Sequence, residues 1–197
     1  MKNNTVHISK MTGKLVHMPA INTNTLTNEF CIRQHQTDTI CFECYSFDML
    51  QGHRKNCAPA FERNSVALSE LIDYDDLPFL NYAYVRINGH GELINSSHLD
   101  NIIAIAVKNR HCTFALWTKR ASLIRQRLDR IPDNLILVFS NPKVDRVIGV
   151  PRGFHKVFNN VTKGSTAPQN CTGRKCIECL ACYRKGSGTD VIVEMVK

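Results

Sequence analysis

The sequence lacks long apolar runs. The longest are IIAIAV (102–107) and LILVF (135–139), far short of the roughly 18 residues that a membrane-spanning helix needs. The N-terminal stretch MKNNTVHISKMTGK also lacks the apolar segment of a secretory signal peptide. We therefore expect a cytoplasmic protein that does not insert into a membrane.

Several sequence features that mark other classes of protein are also missing. There is no repeat, low-complexity tract or interdomain linker, and we find no P-loop and no Gly-x-Ser-x-Gly elbow. No helix-turn-helix pattern or RNA-binding aromatic signature is present either. The sequence predicts a single α/β metal-binding domain over residues 1–197.

Cysteine, by contrast, is abundant. Nine are present, an odd number, and a reducing compartment argues against a disulfide framework. Seven of them fall in two short stretches, 31–44 and 171–182, whose C-x2-C spacings bring thiolates close enough together for a metal ion or an iron–sulfur cluster.

The formal net charge is +8. Such an excess fits a nucleic-acid partner, because Lys and Arg neutralise phosphates, but it also fits plain solubility. The segment RASLIRQRLDR (120–130) concentrates four arginines and could follow a phosphate backbone or form a solvated helix face.

Residues 81–140 read β-α-β-α-β with short connections, which is typical of a parallel α/β unit. This pattern predicts either a partial β/α barrel or an open parallel sheet, with cysteine-rich loops. The predicted strands are 14–21, 81–88, 112–119 and 134–140, with further candidates at 147–151, 155–161 and 190–196. The predicted helices are 58–74, 96–109 and 120–130, the second opening on a capping box of Ser97 and Asp100.

Functional residues in such folds lie where the strands end at their carboxyl tips. The turn GHGE (89–92) and the segment WTKR (117–120) both follow predicted strands. We expect Gly89, Gly91, Glu92 and Lys119 to contact a cofactor or an anionic ligand. His90 could be a general base or a ligand, but we expect a solvent-exposed turn residue. Glu92 is either an anchor for an amine or a surface carboxylate.

The first cysteine group is CIRQHQTDTICFECY. Cys31, Cys41 and Cys44 would supply three ligands and leave a fourth position open. Alternatively, Cys31 is an ordinary thiol, with His35 or His53 replacing it. Cys57, just before a predicted helix, could join this site.

The second group is C-x4-C-x2-C-x2-C followed by Tyr183. Its tight spacing resembles bacterial ferredoxin loops and favours a cluster. The ligands would be Cys171, Cys176, Cys179 and Cys182. One zinc ion held by Cys41, Cys44 and two of these cysteines is the alternative, while Cys112 is expected in the core.

The first group resembles the radical S-adenosylmethionine superfamily. Cys41-Phe42-Glu43-Cys44 matches the end of its C-x3-C-aromatic-x-C motif, although nine residues separate Cys31 from Cys41, and Gly91-Glu92 matches its Gly-Gly-Glu-like turn. The resemblance implies a [4Fe-4S] cluster on Cys31, Cys41 and Cys44, S-adenosylmethionine at its open iron, and an auxiliary cluster on the C-terminal cysteines.

A broader likeness spans residues 14–185. The segments CFECY, YVRINGHGE, TFALWTKR and CIECLACY resemble those of a family of small bacteriophage gene products without assigned activity. This implies a phage protein in the cytoplasm of an infected bacterial host.

Two functions follow from these patterns. The first is an iron–sulfur phage protein with a radical-SAM-like partial barrel, catalysing a radical reaction on a substrate that the sequence does not identify. The second is a non-catalytic protein, stapled by zinc or a cluster, that binds nucleic acid or a host protein.

Overall fold

The computed structural model describes residues 6–196. Within them, six strands form one open sheet in which every neighbouring pair is parallel and the order follows the chain. The strands are β1 (Ala20–Ile21), β2 (Tyr84–Ile87), β3 (Thr113–Thr118), β4 (Leu135–Val144), β5 (Lys156–Val161) and β6 (Val191–Met195). This confirms the open parallel sheet expected from the sequence.

Helices lie in most of the connections between strands, because parallel neighbours need a crossover. They are α1 (Glu29–Gln34), α2 (Tyr45–Gln51), α3 (Ala58–Ser69), α4 (Ser96–Lys108), α5 (Ala121–Arg125) and α6 (Cys176–Cys179). Three of them, α1 to α3, lie in the long β1–β2 connection, whereas the β4–β5 connection has no helix among the described residues.

The main core lies between the sheet and its helices. Val85, Ile87 and Leu116 of the strands pack with Leu99 and Ile102 of α4, all fully buried. We call this side of the sheet the helix face. Alternation along β3 and β4 sends Ala115, Trp117, Ile136 and Val138 to the opposite side, the second face.

The second face is covered by the C-terminal segment 171–185 and not by a long helix. Leu180 and Tyr183 of that segment pack on Trp117 and Val138, together with Met18. The two faces therefore have different covers, and the cysteine-rich segment is one of them.

Several predicted elements are shorter than expected. The predicted strand 14–21 is reduced to Ala20–Ile21, since Gly13–Leu15 forms a 3-10 turn, and 147–151 is not a strand. The predicted helix 120–130 is α5 followed by a 3-10 turn at Leu128–Arg130. The predicted helix 58–74 ends at Ser69, where the backbone of Glu70 becomes extended.

The capping box predicted for α4 is wrong. Asn95 caps the helix, its side chain accepting from the His98 N–H at 2.9 Å. Asp100 instead accepts from Arg127 and Arg130.

No helix within residues 6–196 combines the length and the apolar character that crossing a bilayer requires.

Candidate functional site

The carboxyl edge of the sheet is formed by loops that hydrogen-bond to one another. After β1, Asn22 Oδ1 accepts from the His90 N–H at 2.9 Å and Thr25 Oγ1 accepts from the Gly91 N–H at 3.1 Å. Thr23 Oγ1 donates to the Glu92 carbonyl at 3.2 Å. The loops after β1 and β2 therefore form one connected layer.

Two glycines allow this close approach. A Cβ on Gly91 would lie 2.5 Å from the Thr23 carbonyl oxygen, and the φ of Gly91 is +80°. A Cβ on Gly89 would lie 2.9 Å from Asn22 Oδ1. A Cβ at either position would lie too close to the loop after β1. Glycine is therefore favoured at both positions whether or not a cofactor binds.

Glu92 is buried, which rules out a surface carboxylate. Its Oε1 accepts from the Leu93 N–H and its Oε2 from the Lys119 N–H, each at 2.8 Å. Burial raises the pKa of this carboxyl, and the positive charge of Lys119 opposes the shift. Lys119 Nζ donates to Ser140 Oγ at 2.8 Å, so strands β2, β3 and β4 all contribute to this polar cluster.

The first cysteine group lies in a segment that hydrogen-bonds to this cluster: Asn28, three residues before Cys31, donates to the Glu92 carbonyl at 2.9 Å, and Tyr45, next to Cys44, donates to the Gly89 carbonyl. Burial raises the pKa of the Cys31 thiol, and Glu92, Cys44 and Cys41 raise it further. Burial also raises the pKa of Cys41, where Lys119 opposes the shift and Cys44 adds to it. We call Cys31, Cys41, Cys44, Glu92 and Lys119 the edge site.

Two short helices position these cysteines. Asn28 caps α1 by accepting from the Phe30 and Cys31 N–H groups, and Cys44 occupies the N-cap of α2. These helices lie in a stretch that the sequence predicted to be loop-rich. Short capped turns of this kind bring side chains from a long connection to a defined place.

The proposed histidine substitutes differ in their surroundings. His35 Nδ1 donates to the Cys41 carbonyl at 2.8 Å, and its ring stacks on Phe47 with centroids 4.1 Å apart. His53 is exposed. His35 thus braces the Cys41 loop.

His90 is buried, so the expectation of an exposed turn histidine is wrong. It is 6 % exposed, and its Nδ1 pairs with Ser46 Oγ at 2.8 Å. Burial lowers its pKa to about 4, with the charges of Arg54 and Arg86 adding to the effect. Tyr45 and Ser46 of α2 and Phe61 of α3 contact this side chain, and no local sequence pattern reveals these contacts.

The second cysteine group lies on the second face. Its members line one cavity of about 40 Å³, together with apolar residues such as Leu180 and Ile192. The lining cysteines are Cys171, Cys176, Cys179 and Cys182. We call this the C-terminal cavity.

Each cysteine group lies among its own neighbours. Within residues 6–196, no three His, Cys, Asp or Glu side chains are arranged to hold a single metal ion. The same is true within each cysteine group, so this finding does not separate a zinc ion shared by Cys41, Cys44 and two C-terminal cysteines from a cofactor at each group.

The remaining two cysteines stand apart from both groups. Cys112 is 1 % exposed in the main core, as expected, and burial raises its pKa to about 12. Cys57 is half-buried at the start of α3.

The predicted basic helix is largely engaged within the protein. Arg120 donates to the carbonyls of Leu93 and Ile94. Arg127 and Arg130 both donate to Asp100. Arg120 donates to neutral carbonyls, Arg127 and Arg130 share one carboxylate, and Arg125 is exposed, so the segment keeps a net positive charge.

Sequence reasoning missed Arg86, a charged residue on an otherwise apolar side of β2. Its guanidinium carbon lies 3.2 Å from the centroid of the Trp117 ring. The signal was available: in YVRIN, Arg86 alternates with the buried Val85 and Ile87 and so faces the side of the sheet opposite the helices.

The fold and the edge site define an α/β protein with an open, all-parallel sheet and a cysteine-bearing carboxyl edge. Residues 3–164 match the family model described as gene product 88, and the chain belongs to this family of phage proteins. The match includes the edge site and ends before Cys171. No curated protein and no solved structure matches the chain.

Proposed function

We propose that the chain is a phage iron–sulfur protein whose edge site holds a [4Fe-4S] cluster. In this proposal Cys31, Cys41 and Cys44 each bind one iron, and the fourth iron is left to a small molecule. One observation carries it: three half-buried cysteines lie in the β1–β2 connection, which hydrogen-bonds to the loop that holds the buried Glu92 at the carboxyl edge of a parallel sheet.

The residues present fit such a group. Thiolates are the ligands of iron–sulfur clusters, and a cluster binds each of them through a different iron. Cys31, Cys41 and Cys44 are free thiols and half-buried.

The expected small molecule is S-adenosylmethionine, which a reduced cluster would supply with one electron. The oxygens of Glu92 accept the Leu93 and Lys119 N–H groups and a side-chain hydrogen bond from Thr118, and the acceptor position that remains could take an ammonium hydrogen. Lys119 Nζ donates to Ser140 and keeps further donors for a carboxylate. The chain's own residues would thus orient the amino-acid end of the ligand.

The strand order also supports this proposal. Six parallel strands in sequential order agree with the order of elements on which the resemblance to the radical S-adenosylmethionine superfamily was based. The exposed Phe42 occupies the aromatic position of the Cys41-Phe42-Glu43-Cys44 segment. The substrate of any radical reaction is not indicated by these features.

The test is electron paramagnetic resonance of the dithionite-reduced protein, purified without air, with and without S-adenosylmethionine. We expect a cluster signal that changes on addition of the ligand, together with release of 5′-deoxyadenosine. Cys31→Ala should abolish the change, and Cys57→Ala is the matched control that should keep it. A signal indifferent to the ligand in the wild type would refute the open site.

The non-catalytic alternative predicts a different result. A nucleic-acid-binding protein should bind generic DNA or RNA with an affinity that falls steeply with salt. Arg120, Arg127 and Arg130 are held by contacts within the protein, so of the four arginines in 120–130 only Arg125 is exposed without such a contact among the described residues. Salt-sensitive binding by a colourless, zinc-containing protein would favour the alternative.

A further inference from the structure

A second cavity, of about 340 Å³, lies outside the sheet and apart from the cysteines. Residues of α1 and α3 form two of its walls, and Ile94 and Arg120, which follow β2 and β3, form the third. None of the nine cysteines lines it. We call it the α1–α3 cavity. Its volume suits a small metabolite, and it lies toward the carboxyl ends of the strands, where parallel α/β folds bind ligands.

One wall of the α1–α3 cavity carries positive charge beside an aromatic ring. The guanidinium carbon of Arg120 lies 5.4 Å from the centroid of the Phe30 ring, and its Nη1 donates to the carbonyls of Leu93 and Ile94. These contacts hold the side chain in place. Within residues 6–196 its Nε and Nη2 donate to no acceptor. Arg33, on the same wall, adds a second cation, and planar donors of this kind suit a carboxylate.

The wall formed by α3 carries a carboxylate. Glu62 Oε2 accepts from Asn24 Nδ2 at 2.8 Å and from Thr27 Oγ1, which holds the loop after β1 against α3. Within residues 6–196 its Oε1 accepts no hydrogen bond, and no Lys or Arg forms an ion pair with it. Glu62 therefore keeps one oxygen as an acceptor for an ammonium group.

The charges of the lining are balanced. Its two arginines are matched by two glutamates, Glu29 and Glu62, so the cavity has no net formal charge. Phe30, Val66 and Ile94 contribute apolar surface. A simple anion or cation would be attracted by one wall and repelled by the other, whereas a molecule that carries both charges matches both walls.

We propose that the α1–α3 cavity binds a free amino acid with an apolar side chain. The carboxylate of the ligand pairs with the guanidinium of Arg120, its ammonium group pairs with Glu62 Oε1, and its side chain contacts Phe30 and Val66. The proposal rests on residues other than those of the edge site, so its test is independent of whether a cluster binds.

The first experiment measures binding of leucine and phenylalanine to the full-length protein by calorimetry and ligand-detected NMR. N-acetyl-leucine lacks the ammonium charge, and leucinamide lacks the carboxylate. We expect each derivative to bind about tenfold more weakly than leucine, because each loses a charge-assisted hydrogen bond. If neither amino acid binds, or if leucine and its two derivatives bind equally, the proposal is wrong.

A variant separates this cavity from the edge site. Cys31→Ala removes one of the thiols proposed to hold the cluster but leaves the lining of the α1–α3 cavity unchanged. Leucine binding should therefore be the same in this variant as in the wild type. Loss of binding in a folded Cys31→Ala protein would place the amino acid at the edge site and overturn the proposal.

The second experiment assigns the ammonium end of the ligand. Glu62→Gln keeps an acceptor for Asn24 and Thr27 but removes the charge. We expect about tenfold weaker binding of leucine and unchanged binding of N-acetyl-leucine, whereas a purely structural role of Glu62 would weaken both. Glu70→Gln is the matched control, since Glu70 is exposed and does not line the cavity, and it should bind leucine like the wild type.

A third variant fills the cavity without changing its charges. Val66 is 64 % exposed, so a larger side chain there does not have to displace the core. Val66→Trp should abolish leucine binding in a protein that remains folded by circular dichroism, and the exposed Val147→Trp should retain it. Full binding of leucine by folded Val66→Trp would contradict this location of the site.

Discussion

The two cysteine regions differ in what surrounds their sulfur atoms. At the edge site, three cysteines share their surroundings with a buried carboxylate, Glu92, and with Lys119. At the C-terminal cavity, four cysteines meet apolar side chains and the cation Arg86. Cysteine spacing predicts metal binding for both groups. Their surroundings differ, because charged side chains lie at the edge site and apolar side chains line much of the C-terminal cavity.

The supports of the two regions differ as well. The edge site depends on loops after β1 and β2 that touch through Gly91 and Thr23. The C-terminal region is fastened by Lys156, a fully buried lysine whose ammonium donates to Ser187 Oγ, the Thr189 carbonyl and Asp190 Oδ1. Each support can be removed separately.

The largest expected effect is at Gly91. Gly91→Ala would force a Cβ to within 2.5 Å of the Thr23 carbonyl oxygen at a φ of +80°. We expect a loss of about 3 kcal/mol or more in the free energy of unfolding, measured by chemical denaturation. Gly186→Ala is the control, since its φ is also positive but nothing lies within 4 Å, and about 1 kcal/mol is expected there. Equal losses in the two variants would show that the loops separate easily.

The second effect concerns the C-terminal region. Lys156→Met keeps most of the buried volume but removes three hydrogen bonds, one of them to the partly exposed Asp190. We expect a loss of about 2 kcal/mol in unfolding free energy and faster proteolysis within residues 184–190. The exposed Lys163→Met should behave like the wild type. Resistance to protease equal to that of the control would contradict a fastening role.

The third effect is a pH dependence confined to the edge of the sheet. Burial holds the pKa of His90 at about 4, below the ~6.5 of an unfolded histidine. The unfolded chain therefore takes up the proton first, and stability that is complete above pH ~6.5 declines as the pH falls toward 4. At pH 5 the loss from this residue should reach about 2 kcal/mol.

His90→Gln should remove that part of the decline. Buried His98, whose pKa is lowered to about 3, contributes equally in both proteins and cancels in the comparison. The measurement is urea denaturation at pH 7 and pH 5 for wild type, His90→Gln and the control His53→Gln. If His90→Gln loses as much unfolding free energy between pH 7 and pH 5 as the wild type, a group other than His90 causes the decline.

The central strands could be predicted because their apolar patterns are strong. β3 and β4 carry nearly continuous apolar residues, as expected for strands covered on both faces. The predicted strand 14–21 was mostly wrong, because Gly13–Leu15 forms a 3-10 turn and only Ala20 and Ile21 pair with β2. Helices α1 and α2 were missed because six or seven residues are too few to show a period.

The candidate site was predicted in composition but not in environment. Cys31, Cys41, Cys44, Glu92 and Lys119 follow from spacing and from strand ends. The burial of His90 and the stacking of Arg86 on Trp117 arise from contacts between distant segments, which local patterns do not carry. Binding of a cofactor by these residues stays a prediction.

The most direct test of the two-site account is the iron and acid-labile sulfide content of wild-type protein purified without air. Two clusters predict about eight iron and eight sulfide per chain. A protein that, under those conditions, contains zinc or no metal and no sulfide would contradict the account at both sites.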